Sequence, residues 1–225
     1  MKPNRKLAET TTPDGARLAL YEHDGSYCIR LNGQQLMHSA VTASEILLGN
    51  LAGERLSAQA DACILIGGLG LGFTLKSVLA KVAPQTVVQV AELIPEIVAW
   101  NREFLIGLNG ALLDDSRVEI FLDDVWSVLN RAGQARYDAI LLDTDNGPTA
   151  MVQKQNARLY SRDGIQKIVA ALKPGGRAVI WSASPDRAFA DRLSKAGLKV
   201  EAVPAKLYPS AKTFACTLYV ADKQA

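Results

Sequence analysis

Glycines and acidic residues at the ends of predicted strands are the parts of this sequence best suited to chemistry. An apolar run at residues 62–66 leads directly into a glycine-rich turn, whose glycines are Gly67, Gly68, Gly70 and Gly72. Glycine lets a ligand approach the start of a helix without a Cβ in the way. Glu92 and Leu93 end the next predicted strand, where a carboxylate can accept hydrogen bonds from ribose hydroxyls. The pattern predicts a nucleoside site; alternatively, the glycines only permit close packing and Glu92 caps a helix.

Two pairs of aspartates follow later predicted strands. Asp123 and Asp124 end the third strand of this region, where one carboxylate can accept the amino proton of an adenine. Capping of the next helix is the equal alternative. Asp143 and Asp145 follow the fourth strand, at the edge where open α/β sheets bind ligands, and they favour a sulfonium or an amine. Asp143 is the first candidate to orient or deprotonate an amine, Asp145 is the second, and turn formation is the alternative.

The composition excludes several classes of function. The chain has 225 residues with 25 Lys+Arg against 23 Asp+Glu, and a net charge of +2 excludes a strongly basic nucleic-acid binder. The cysteines and histidines show no metal-ligand spacing, so no metal is expected. The longest apolar run is too short for a bilayer, and no apolar stretch follows the basic N-terminus. We therefore expect a cytoplasmic protein without membrane association.

The elements that must position these residues fall into two parts. Residues 1–55 predict a small N-terminal β-meander of two or three strands and a helix. Residues 56–225 alternate between strands and helices, which predicts a doubly wound, mostly parallel sheet of the α/β class. The last two strand-like runs, 198–203 and 213–221, have no helix between them and should form an antiparallel hairpin at the sheet edge. A seven-stranded Rossmann-like sheet with this ending is typical of S-adenosylmethionine-dependent methyltransferases, which makes residues 56–225 the candidate S-adenosylmethionine-binding domain.

One polar segment, residues 144–158, matches neither a helical nor a strand period. Structureless segments of this length inside compact domains usually have a function. We expect this segment to be a lid that becomes ordered when a ligand binds.

The order of these motifs resembles the spermidine synthase-like (polyamine aminopropyltransferase) branch of the Rossmann-fold S-adenosylmethionine-dependent methyltransferases. The resemblance begins at about Leu18 and continues to the C-terminus. The segments that carry it are residues 67–72, 91–96, 122–125, 142–148, 158–161 and 172–176. The family also begins with a small β-domain, which the N-terminal meander resembles in shortened form.

The resemblance implies roles for several of the candidate residues. Gly68 and Gly70 would approach a nucleoside thioether, and Glu92 would hold its ribose. Asp124 would contact adenine, and Asp143 would begin the loop that positions the amine. The resemblance also makes a homodimer a reasonable expectation.

Two departures from the family's pattern concern recognition of the amine. The family's loop carries two acids three residues apart followed by proline, whereas Asp143-Thr144-Asp145-Asn146 is contracted. The tyrosine-histidine-glutamate segment expected after the β-domain is replaced by residues 38–45, which contain no tyrosine. These departures favour transfer of a methyl group from S-adenosylmethionine to a small acceptor, expected to be an amine.

Other functions remain open at this point. The first alternative is an aminopropyltransferase that uses decarboxylated S-adenosylmethionine, and the second is a non-catalytic nucleoside-binding or interaction module. An NAD-dependent oxidoreductase shares the glycine turn, but the reversed final strand and the series of aspartates argue against it.

A sulfonium donor supplies the driving force for the transfer, so the protein mainly needs to hold donor and acceptor in line and exclude water.

Overall fold

The N-terminal part of the chain folds into a small antiparallel sheet followed by one helix. The structure is a computed structural model that describes residues 4–144 and 154–225. Within those ranges the small sheet has four strands in chain order, β1 (Arg5–Thr11), β2 (Arg17–His23), β3 (Ser26–Leu31) and β4 (Gln34–His38), and helix α1 is Ala43–Leu56. The sequence predicts two or three strands here and misses β1. The sequence of β1 does not alternate between apolar and polar residues, so only its antiparallel pairing with β2 identifies it as a strand.

The remaining strands form a large, mostly parallel sheet. In the described part of the chain they number seven: β5 (Cys63–Gly67), β6 (Val87–Ala91), β7 (Val118–Phe121), β8 (Tyr137–Leu142), β9 (Leu172–Ser182), β10 (Leu198–Ala205) and β11 (Cys216–Lys223). Their order across the sheet is β10-β11-β9-β8-β5-β6-β7, and β11 pairs antiparallel with both β9 and β10. The predicted fold class, including the antiparallel C-terminal hairpin at the edge, is therefore confirmed.

Helices connect the parallel strands. They are α2 (Phe73–Leu79), α3 (Pro95–Glu103), α4 (Ile106–Asn109), α5 (Val125–Ala132), α6 (Arg162–Ala171) and α7 (Arg187–Lys195), with short 3-10 turns at Leu112–Asp114 and Lys154–Tyr160. Two of these helices illustrate how a side chain or a proline suits a helix start: Ser161 accepts a hydrogen bond from the Gly164 N–H at 3.2 Å at the start of α6, and Pro95 opens α3. Among the described residues, no helix has the length and apolar character needed to cross a membrane.

Strand β9 is longer than the sequence predicts. Pro174, Gly175 and Gly176 predict a turn before the strand, but they lie within Leu172–Ser182. The register along β8 shows how they are accommodated. Leu172 pairs with Tyr137 and Arg177 pairs with Ala139, so the extra residues of β9 form an irregularity between two paired positions.

The two sheets share a hydrophobic core. Leu18 and Ile29 of the small sheet pack in one cluster with Leu48 of α1 and Ile64 of β5. All residues of β8 are buried, as expected for a central strand covered on both faces. The packing brings β4 over the glycine turn, and it determines which side chains can face a ligand there. The domain boundary predicted between residues 55 and 56 stays a prediction.

Candidate functional site

The glycine turn joins β5 to α2 at the carboxyl edge of the large sheet. The Gly68 N–H donates to the Ala91 carbonyl at 2.9 Å, and the Asp143 N–H donates to the Gly67 carbonyl at 3.0 Å. These bonds tie the turn to the ends of β6 and β8. A Cβ on Gly67 would lie 2.9 Å from Cγ2 of Val125, so this glycine permits close packing of α5 on the sheet. The packing alternative therefore holds for Gly67.

Gly68 has a backbone conformation that favours glycine. Its φ is +94°, and a Cβ there would lie 2.7 Å from the Asp143 carbonyl oxygen. Gly70, with φ +52°, faces Met37, whose Sδ would lie 2.9 Å from an added Cβ. The turn is thus held between the end of β8 on one side and strand β4 on the other.

We expect Gly68→Ala to lower the free energy of unfolding by about 1–2 kcal/mol from the left-handed backbone alone, with a further loss from the contact. The added methyl group would also displace Asp143, so nucleoside affinity should fall. Gly15→Ala is the matched control, because Gly15 has φ +85° with nothing within 4 Å of its added Cβ. Denaturant titration and calorimetry with methylthioadenosine measure the two effects; equal losses of stability in both variants would contradict the close contact at Gly68.

Glu92 is buried and faces the glycine turn. Its Oε2 accepts a hydrogen bond from the Leu69 N–H at 2.9 Å, and its Oε1 accepts one from the Ile94 N–H at 2.9 Å. Burial raises the pKa of Glu92, while the backbone N–H groups around it lower it in part. Glu92 also lines the cavity beside the glycine turn.

The aspartates after β7 both have partners. Asp124 Oδ1 accepts a hydrogen bond from the Trp126 N–H at 3.0 Å and caps α5, and its Oδ2 pairs with Arg158. Asp123 Oδ2 lies 2.6 Å from Arg131. Helix capping, one of the two alternatives for these acids, is thus present at Asp124. The contact with adenine stays a prediction.

A cavity lies in front of these residues. Its lining includes seven of the predicted site residues: Gly68, Gly70, Glu92, Leu93, Asp123, Asp124 and Asp143. Gly67 and Gly72 belong to the same turn but do not line this cavity. Asp145 and the part of the predicted lid at residues 145–153 lie outside the described residues.

A second cavity of about 350 Å³ adjoins the first. The two share Leu36 and Met37 of β4, and Asp143 lines both. The Thr74 hydroxyl donates to Asp143 Oδ2 at 2.8 Å. Burial raises the pKa of Asp143, and the hydrogen bond from Thr74 lowers it in part. Asp143 is therefore placed between two spaces, one beside the glycine turn and one between β4 and α1.

Glu45, in the first turn of α1, is a candidate residue that the sequence analysis does not select. It lines the second cavity, and its Oε2 is buried without a hydrogen-bond partner among the described residues. Burial, followed by the charge of Asp143, raises the pKa of Glu45 to about 9. One indication was available in the sequence, because Glu45 ends the segment that replaces the tyrosine-histidine-glutamate motif. Within the described residues, no cluster of three or more His, Cys, Asp or Glu is placed to hold a metal ion.

No family model matches this chain. Among curated proteins, it is similar to the polyamine aminopropyltransferase of Corynebacterium efficiens, 33% identical over 131 residues, which are 57% of this chain and 24% of the relative. The polyamine aminopropyltransferase of Mycobacterium tuberculosis is 32% identical over 132 residues, 58% of this chain and 24% of the relative. The match thus spans about a quarter of the length of these relatives.

Solved structures show the same likeness along nearly the whole chain. Spermidine synthase from Thermotoga maritima superposes with a TM-score of 0.72 at 20% identity, covering 98% of this chain and 73% of that one. The chain has a spermidine synthase-like fold. A spermidine synthase in complex with the transition-state analogue AdoDATO gives a TM-score of 0.70 at 20% identity, covering 97% of this chain and 72% of that one. The predicted resemblance to the spermidine synthase-like branch of the Rossmann-like methyltransferase fold is confirmed.

The expectation that methyl transfer is favoured is wrong. The similar curated proteins are named polyamine aminopropyltransferases, and the spermidine synthase-like fold is shared with structures named spermidine synthases. The contracted loop and the missing tyrosine favoured methyl transfer, but the structure places Glu45 in the same cavity as Asp143. These comparisons also give no support to a non-catalytic module.

Proposed function

We propose that this chain transfers an aminopropyl group from decarboxylated S-adenosylmethionine to a small amine. The observation that carries the proposal is the position of Asp143 on the shared wall of two cavities. A transferase of this kind needs one space for the nucleoside donor, one for the acceptor, and a group at their junction. The names of the curated relatives support the same reaction.

The donor would lie in the cavity beside the glycine turn. Gly68 and Gly70 present backbone without side chains there, and Gly67 and Gly72 keep the turn in place. Glu92 lines this cavity and would accept hydrogen bonds from the ribose hydroxyls. Leu93, Asp123 and Asp124 complete the wall, where Asp124 would contact the adenine.

The acceptor would lie in the cavity between β4 and α1. The protonated acceptor first gives one proton to Asp143, which frees the lone pair of its nitrogen. The lone pair attacks the aminopropyl carbon bonded to the sulfonium, the carbon–sulfur bond breaks, and sulfur keeps the electron pair as methylthioadenosine. No covalent intermediate on the protein is needed, since the enzyme's contribution is alignment of the two substrates and acceptance of the proton.

Glu45 is the second acid that we assign to the acceptor. With its pKa raised to about 9, its carboxyl group would be uncharged at neutral pH and would orient the amine through a hydrogen bond. Asp145 remains a sequence-based candidate for the same task. Homodimer formation and a cytoplasmic location likewise stay predictions.

The product of the reaction tests the proposal. The protein is incubated with a mixture of mono-, di- and polyamines and either decarboxylated S-adenosylmethionine or S-adenosylmethionine. We expect methylthioadenosine from the decarboxylated donor, detected by liquid chromatography and mass spectrometry, together with an amine that has gained an aminopropyl group. S-Adenosylhomocysteine from the second donor, without methylthioadenosine from the first, would contradict aminopropyl transfer.

A further inference from the structure

Two buried asparagines hold the glycine turn from the side opposite the cavity proposed for the donor. Asn101 Nδ2, on α3, donates a hydrogen bond to the Gly70 carbonyl at 2.9 Å, and Asn109 Nδ2, at the end of α4, donates to the Leu71 carbonyl. Each asparagine is 7% exposed. Neither lines the donor cavity, whereas Gly70 does, so the two side chains can act on a bound nucleoside only through the turn.

The side-chain amide of Asn101 is fixed by its own helix as well as by the turn. Its Nδ2 also donates to the Ile97 carbonyl at 2.9 Å, so both N–H bonds of the amide have acceptors. Ile97 lies one helical turn before Asn101 on the same face of α3, and Ile97 lines the donor cavity. Helix α3 therefore forms part of the cavity wall with Ile97 and grips the turn with Asn101.

Three consecutive residues of the turn are bound to three different elements. The Leu69 N–H donates to Glu92, at the end of β6, while the carbonyls of Gly70 and Leu71 accept from α3 and α4. Gly70 has a left-handed φ of +52°, a conformation that glycine can leave at little cost. Hydrogen bonds to its carbonyl and to the next one fix the orientation of both peptide groups.

Packing at Gly72 supports the same arrangement independently of these hydrogen bonds. A Cβ on Gly72 would lie 3.0 Å from Asn101 Oδ1 and 3.3 Å from Asn109 Nδ2. The two amides thus meet at a glycine that is part of the turn but not of the cavity lining. Gly72 leaves the space that both side chains occupy.

We infer that Asn101 and Asn109 are positioning residues that set nucleoside affinity by holding the glycine turn in its binding conformation. The inference rests on the proposed function, because it concerns the donor of that reaction. A turn that is ordered before the ligand arrives does not have to be ordered at the expense of binding free energy. The asparagines raise affinity in this way without touching the nucleoside.

Removal of the amide of Asn101 tests the inference. Leucine has the same branching but no N–H donor, so Asn101→Leu should raise the Kd for methylthioadenosine by about five- to tenfold, measured by calorimetry on the intact protein. Val98→Ala is the matched control, because Val98 is buried on the same helix and its truncation lowers stability without removing a bond to the turn. Parental affinity in Asn101→Leu, or an equal loss in Val98→Ala, would overturn the inference.

Amide exchange of the free protein measures the turn directly. The Gly72 N–H donates to the Leu69 carbonyl at 2.9 Å, so its exchange with solvent reports opening of the turn. We expect Gly72 to exchange at least about fivefold faster in Asn101→Leu, relative to the amides of β8, and to keep the parental ratio in Val98→Ala. An unchanged ratio in Asn101→Leu would show that the asparagine does not hold the turn. Failure of the parent to bind methylthioadenosine would contradict the proposed function, while this ratio still decides whether Asn101 holds the turn.

Asn109→Ala provides a second variant that reaches the same turn from another element. It removes the donor to the Leu71 carbonyl and leaves the bonds of Asn101 in place. We expect weaker binding of methylthioadenosine and faster exchange of Gly72, in the same direction as for Asn101→Leu. Thermal melting confirms that the variants fold. Parental values of both quantities in Asn109→Ala would refute the assignment of the two asparagines to one positioning role.

Discussion

Asp143→Asn should lower kcat for aminopropyl transfer by about 10²–10⁴-fold, the usual range for loss of a positioned acid or base. An alkyl amine is largely protonated at neutral pH, so the attacking nitrogen must lose a proton during the reaction. Burial raises the pKa of Asp143 and brings it closer to that of the amine, which improves Asp143 as a proton acceptor. Asparagine has nearly the same shape and can still accept the hydrogen bond from Thr74, but it cannot take up the proton.

The measurement is single-turnover formation of methylthioadenosine, with calorimetry for the nucleoside. Asp61→Asn is the matched control, because it removes one negative charge at an exposed position outside both cavities. We expect Asp143→Asn to bind methylthioadenosine within about threefold of the parent, since the lost charge acts on the amine. A variant that retains a tenth or more of the parental rate would exclude Asp143 as the proton acceptor.

Glu92→Ala should weaken methylthioadenosine binding by about 1–3 kcal/mol, the scale for losing the partner of buried hydroxyl groups. The same change removes the acceptor of two buried N–H groups, those of Leu69 and Ile94, so the free energy of unfolding should fall as well. Glu92→Gln should be intermediate, because the amide keeps one oxygen acceptor and places an N–H₂ group against the other donor.

Calorimetry and denaturant titration separate the two effects of Glu92→Ala. Ile64→Val serves as the control: Ile64 is buried in β5, and this substitution lowers stability by about 0.5–1.5 kcal/mol without touching the cavity. If Ile64→Val weakens nucleoside binding as much as Glu92→Ala does, the effect at Glu92 is general destabilisation. Parental affinity in Glu92→Ala would exclude its contact with the ribose.

The sequence predicts much of this fold because several patterns depend on local physics. The continuous apolar run at residues 62–66, most of which becomes β5, is the pattern of a parallel strand covered on both faces. The missing helix between the last two strands leaves only antiparallel pairing. Strand β1 follows no such pattern, because most of its side chains face solvent and its hydrogen bonds to β2 define it.

The candidate site was predictable where its residues follow one another along the chain, and not where packing brings them together. The position of Glu92 follows from the strand–turn–helix order. The approach of Glu45 to Asp143 does not, because it requires α1 to pack beside the ends of β8 and β9. The partner of Asp124 was hidden for the same reason: Arg158 is far along the chain, beyond the residues that the structure leaves undescribed.

The attachment of Asp143 would link binding of the proposed donor to binding of the proposed amine acceptor. Its N–H is bonded to Gly67 of β5, and its carboxylate is bonded to Thr74 of α2, so the acid is part of the strand–turn–helix unit that would cradle the nucleoside. A donor that restricts the motion of this unit also restricts Asp143, and the amine then loses less entropy on binding. By reciprocity, the amine must strengthen donor binding by the same factor. Positive cooperativity between the proposed donor and the amine is therefore expected from these two hydrogen bonds.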